Sequence, residues 1–115
     1  MSNASESKEF PAELARAGEA RHFISWRAAV AGLGRGRLTD LATAAEAALT
    51  DILLSTGEGV LGIRCEHTGE TFRTFISHPR IERHRMADLE GILDHFLDGH
   101  EVSPTRTLLV KRLRG

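Results

Sequence analysis

The sequence predicts an α+β fold, a two-layer α/β sandwich with helices on one face of a mixed or antiparallel sheet. Three observations lead there. Apolar residues recur at three- and four-residue steps in two long segments before residue 55. Two alternating runs, 61–67 and 71–77, then flank a short glycine turn. A third helical segment and an apolar closing run at 107–113 complete the order helix, helix, hairpin, helix, strand. The chain has 115 residues, with 15 Lys plus Arg against 16 Asp plus Glu and a formal net charge of −1. That length suits one domain with a core of its own. The charge balance argues against a large nucleic-acid footprint. Cys65 is the single cysteine, so no internal disulfide forms. No apolar run approaches the ~18–20 residues of a membrane span. The polar stretch 1–10 lacks the apolar segment of a signal peptide, and a cytoplasmic protein is the expectation.

Residues 1–9 are small, polar and charged; they are expected to form a disordered tail, leaving 10–115 as the single domain. From Ala12 to Leu33 the pattern is helical, with Gly18 moving the firm start to near Glu19. Phe23, Trp26, Val30 and Leu33 share one stripe, which assigns them to the core or to a dimer contact. Gly32, Gly34 and Gly36 then end the helix. A phosphate cradle needs a strand before its glycines and a helix N-terminus after them, whereas here a helix precedes, so a turn is expected. Thr39 or Asp40 is expected to cap the next helix, which runs to about Leu54. Leu41, Ala45, Ala48 and Ile52 form its inner stripe, widened by Leu49 and Leu53. Leu61, Ile63, Cys65 and His67 alternate as a half-buried strand, and Thr71 to Ser77 is its hairpin partner across Thr68-Gly69-Glu70. His78 to Arg85 reads as a basic loop, and Met86 to Leu97 as a helix with Leu89, Leu93 and Phe96 on one face.

Chemistry-bearing patterns are sparse. Cys65 and His67 point the same way from a strand, but a zinc site needs three or four converging ligands and no second tight pair accompanies them. No metal site is expected. Cys65 in mid-strand reads as a small core residue rather than a nucleophile. The cations Arg80, Arg83, Arg85, Lys111, Arg112 and Arg114 would make a basic face suited to an acidic protein partner. Tyr is absent and Phe is sparse, so base stacking is unsupported and nucleic acid is not the expected ligand.

Taken together, the helix around Ala44-Ala45-Glu46-Ala47-Ala48-Leu49-Thr50-Asp51, the hairpin 59–77, the helix 88–97 and the final strand resemble one known layout. It is that of the anti-sigma-factor serine kinases of the histidine-kinase-like (GHKL) ATPase superfamily. In that family the second helix carries E-x-x-x-N, and a D-x-G-x-G loop and a glycine-bearing lid follow the hairpin. Glu46 matches the motif glutamate. Thr50 stands where the asparagine would hold magnesium, with Asp51 beside it but rotated ~100° around the helix. Ser77-His78-Pro79-Arg80-Ile81 replaces the adenine-binding aspartate and its glycines, and only Gly91 lies in the lid's place.

The resemblance therefore implies a degenerate ATP site with vestigial positions Glu46, Thr50, Asp51, Ser77 and His78, no cofactor and no catalytic residue. It implies a non-catalytic regulatory module, cytoplasmic and homodimeric, that binds a protein such as a sigma factor or signalling protein. Arg80, Arg83 and Arg85 are the expected partner-binding residues, facing solvent while Ile81 or Met86 fills the vacated pocket. Phe23, Trp26 and Val30 are expected in the dimer contact or the core. Two alternatives stand beside it: an active ATP-dependent anti-sigma serine kinase, and a structural homodimer unrelated to the superfamily. Magnesium-dependent ATP binding separates the first from the favoured reading.

Overall fold

The computed structural model describes residues 4–83 and 86–114. Among these, three α-helices lie on one face of a five-stranded sheet. The elements run β1 (Ala4–Pro11), a 3₁₀ turn (Leu14–Arg16), α1 (Ala17–Ala31), α2 (Arg35–Ser55), β2 (Val60–Thr68), β3 (Thr71–Ser77), α3 (Met86–Phe96), β4 (Gly99–Val102) and β5 (Arg106–Arg112). The strand order is β1-β2-β3-β5-β4, and every neighbouring pair is antiparallel. The α+β sandwich read from the sequence is the fold.

The hairpin forms where the alternation placed it. Leu61, Ile63 and Cys65 of β2 and Phe72, Thr74 and Ile76 of β3 are buried beneath the helices. Thr68 pairs with Thr71, leaving a two-residue turn with Gly69 at φ 57. A glycine at the first central position, with positive φ, suits the strand twist of such turns. In α2 the stripe Leu41, Ala45, Ala48, Leu49, Ile52 and Leu53 is buried as expected, joined by Ala44.

Four expectations are corrected. Residues 4–9 belong to strand β1, paired with β2 from Ala4↔His67 to Pro11↔Val60. Backbone ladder bonds do not depend on side-chain polarity, and charged edge strands discourage aggregation, so polar composition concealed the strand. The second helix starts at Arg35 behind Gly34 in extended geometry, not at Thr39 or Asp40. Gly32, at φ 104, closes α1 and leaves only a short link between the helices. Third, the core half of the reading of Trp26 and Val30 gives way, since they are 54% and 58% exposed, while Ala20, Ile24 and Ala28 are the buried stripe of α1. The alanine-rich faces of α1 and α2 pack more closely than bulky side chains allow, so the aromatic edge turned outward. Phe23 sits between, half-buried and edge-on to Phe10 with ring centroids 6.2 Å apart. Fourth, Lys111 is buried rather than part of a basic tail. Its Nζ donates to the Phe96 carbonyl at the end of α3 (2.7 Å) and lies 3.6 Å from Asp40 of α2. A cation at a helix C-terminus meets the negative end of the backbone dipole.

Candidate functional site

The positions that the resemblance singles out fall around the outer side of α2 and the segment after β3. That segment is pinned rather than free. His78 N–H donates to the Thr105 carbonyl (3.0 Å) and Ile81 N–H to that of Pro104 (3.2 Å). Pro79 lies against Gly59, whose φ of 91 and lack of a side chain leave room for the ring. A Cβ there would stand 2.6 Å from Pro79 Cγ. Ile81 is buried in the core.

Arg83 departs from expectation. Its side chain is 2% exposed and turns inward, where its Nε lies 3.4 Å from Asp51 Oδ2. One terminal nitrogen donates to His78 Nε2 at 2.9 Å and to Thr107 Oγ1 at 3.1 Å. Buried charges are held by such partners, because removing an ion from water without them is costly. The ion pair with Asp51 supplies the charge, although neither Asp51 Oδ2 nor Arg83 Nε attains hydrogen-bond geometry. Accepting from arginine makes His78 Nε2 the unprotonated nitrogen, so Nδ1–H donates to the Pro79 carbonyl at 3.0 Å. Burial pushes the His78 pKa below its ordinary value, Arg83 adds to the depression, and the Pro79 contact and Asp51 oppose it. His78 is a neutral connector. Burial likewise lowers the Arg83 pKa, against the pull of Asp51.

Asp51, His78 and Arg83 thus come together with Thr107, a residue that nothing in the sequence pattern marked. Its buried hydroxyl on β5 is 3.3 Å from His78 Nε2. Glu46 and Thr50 remain on the outer side of α2, with Glu46 exposed and 3.7 Å from Arg21 Nε of α1. Ser77 does not join them. It is exposed in a shallow recess with Ser7 and Arg64. Arg80 is exposed as expected, and Arg85 lies outside the described residues. The two exposed cations nearest in kind, Arg64 and Arg106, each lie 5.3 Å from the Phe75 ring centroid on the sheet.

Between α2 and α3 runs an open groove of about 630 Å³. One wall carries Thr43, Glu46, Ala47, Thr50, Asp51 and Leu54; the other carries Asp88, Leu89, Ile92 and Phe96. Leu54 is 70% and Ile92 40% exposed. Leu54 follows the buried pair Ile52 and Leu53, and a third consecutive helical residue is turned a further ~100°, off the buried stripe.

Cys65 is buried opposite Thr74, and desolvation raises its pKa to about 12, far from a nucleophile's range. Among the described residues no cluster of three or more His, Cys, Asp and Glu could hold a metal ion. No helix among them is long and apolar enough to cross a membrane. No family model and no curated protein matches the chain.

Proposed function

We propose that this protein is a non-catalytic regulatory module that binds another protein, an adaptor of the anti-sigma-factor kind with a degenerate nucleotide site. The observation that carries the reading is the Asp51–Arg83 pair. Asp51 is the carboxylate nearest the Thr50 position, and so the natural substitute for the absent magnesium-holding asparagine. A guanidinium at 3.4 Å already satisfies its charge. A divalent cation there would meet Arg83 across a few ångströms of poorly screened space. The segment 78–83 meanwhile fills its own place with Ile81 and His78 instead of offering glycine N–H groups to phosphates.

Equilibrium titration with labelled ATP and magnesium tests this. The expected result is no saturable binding through the millimolar range of cellular ATP. Saturable micromolar binding, abolished by Glu46→Ala or Asp51→Ala, would establish the active kinase alternative instead.

A homodimer belongs to the same reading. Strand β1 is at the sheet edge, and Lys8, His22, Phe23 and Trp26 surround a recess of about 640 Å³ beside it. Two β1 strands paired antiparallel about Ser7 would set Glu6 of each opposite Lys8 of the other, a favourable cross-strand match. Sedimentation velocity should give a dimer that Trp26→Glu dissociates.

A further inference from the structure

The three helices cover one face of the sheet and, among the described residues, leave the other open. At the centre of that open face stand Phe75, Leu108 and Val110, all half-buried. Phe75 is directly opposite Leu108, and Val110 is directly opposite Arg73. Strand parity turns Arg64, Arg73, Arg106 and Arg112 outward beside them, each exposed. The one carboxylate that faces outward on the same three strands is Glu66, and Arg64 engages it. Among the described residues no carboxylate forms an ion pair with Arg73, Arg106 or Arg112; Asp98 reaches only the backbone N–H of Arg112, at 2.7 Å. Glu9 and Glu101 stand at the margins, on the edge strands β1 and β4. The middle of the face is therefore cationic, although Arg83 and Lys111, expected on a basic surface, have turned inward.

The apolar centre and its unpaired cations define what covers them. Strands β2, β3 and β5 each have a neighbour on both sides, so a partner cannot add a strand there and must lie across the face through its side chains. A helix with one apolar stripe is the element that packs on a sheet in that way. A second copy stacked face to face would set four guanidiniums against four, with one carboxylate on each side. Nucleic acid would stack on aromatic rings, whereas Phe75 is the aromatic residue of this face and already carries Arg64 and Arg106, each 5.3 Å from its centroid. Those contacts hold two guanidiniums in place before binding, which reduces the ordering cost. We infer that the outer face of the sheet is the docking site for an acidic amphipathic helix of the partner protein. Its apolar stripe seats on Phe75, Leu108 and Val110, and its carboxylates pair with Arg73 and Arg106, the charges setting approach and specificity. Arg73 is opposite Val110, four residues along β5 from Arg106, so the two arginines stand about 14 Å apart along the strands, about two to three helical turns. The inference rests on the protein-binding reading above.

The probe is an alanine-based peptide of about 18 residues, long enough to form helix alone, with two central leucines one turn apart and glutamates on either side of them. A second peptide replaces every glutamate by lysine. Both are titrated into the isotope-labelled full chain and followed through backbone amide shifts. The expected result is saturable binding of the glutamate peptide with shifts confined to β2, β3 and β5. Arg73→Glu with Arg106→Glu, both exposed and therefore tolerated by the fold, weakens it at least about tenfold. Phe75→Ala weakens it as well, and the lysine peptide binds at least about tenfold less tightly. Equal binding of the two peptides, shifts centred on the helices, or no binding of either would overturn the inference. So would tighter binding of an oligothymidylate of about 12 nucleotides at the same amides, which would make single-stranded nucleic acid the occupant. A drop in sedimentation coefficient on the double arginine reversal would overturn it too, by making a second copy the occupant. Titrating magnesium and ATP into the same sample keeps the two claims apart. Peptide failure without an ATP response overturns this inference alone, whereas saturable ATP shifts overturn the non-catalytic reading on which it rests.

Discussion

Helices α1 and α2 pack side by side on the sheet, yet their large apolar residues behave in opposite ways. In α2 the leucines and isoleucine of the regular stripe are buried, with alanines between them. In α1 the stripe that looks strongest, Phe23, Trp26 and Val30, turns its last two members to solvent, and Ala20, Ile24 and Ala28 face the core. The outer sides differ too. The outer edge of α2 is tied by Asp51 to Arg83 and onward to His78 and Thr107, whereas Trp26 meets Arg27 of its own helix through a cation–π contact at 5.2 Å. Helical spacing identifies which residues share a face. It does not say which of two competing faces is inward when the neighbour is itself lined with alanine.

That contrast can be broken most forcefully in α2. Leu49→Ala should destabilise the fold by about 2–5 kcal/mol in urea unfolding, the range for emptying a fully buried leucine site. A loss under about 1 kcal/mol would mean the α2 stripe is not the core. On the α1 side, Ala28→Leu should cost about 1–3 kcal/mol by overpacking a position with no free surface. Arg83→Ala probes the tie on the outer edge of α2. It strands Asp51 against the loop and should lose about 1–3 kcal/mol, the cost of buried polar groups left unpaired; an unaltered urea midpoint would place Arg83 in solvent after all. Trp26→Ala should change stability by only about 0.5 kcal/mol when measured on monomeric protein at low concentration. A cost of several kcal/mol would restore Trp26 to the core and erase the distinction between the helices.

The smallest expected effect is a pH slope from His78. Its pKa is depressed in the folded state, so the unfolded chain binds more protons in the window below the ordinary histidine value of about 6.5. The stability contributed by neutral His78 is complete above that value and declines as pH falls toward the folded-state pKa. Comparing the stability of the parent chain with His78→Gln between pH 8 and pH 5 isolates this contribution. The parent should lose more on acidification, and parallel curves would show that the ring is solvated.

Much of the candidate site was legible, but as separate residues. The spacing of Glu46, Thr50 and Asp51 on one helix, and the replacement of glycines by Ser77-His78-Pro79-Arg80, could be read directly. That Arg83 turns inward could not. A loop arginine is ordinarily solvated, and only the joint arrival of a carboxylate from α2, an imidazole from the same loop and a hydroxyl from β5 makes burial tolerable. Ser77 was separated from the rest by strand parity alone, since successive residues of β3 leave the sheet on opposite faces. The groove was hidden for a related reason: α2 and α3 are joined in sequence through the whole β2–β3 hairpin, and no local pattern reports which of their sides meet.

By itself the amino-acid order determined what depends on near neighbours: the α2 stripe, the alternation of β2 and β3, the Gly69 turn and the Gly32 helix end. These follow from backbone geometry and side-chain spacing within a few residues. Tertiary structure alone decided the strand status of residues 4–9, the outward turn of Trp26, the burial of Arg83 and Lys111, and the groove between α2 and α3. Each of these is a competition for partners distant in the chain. An edge strand needs only another backbone to pair with, a tryptophan yields to alanines that pack closer, and a cation goes inside only where a carboxylate or helix carbonyl awaits it.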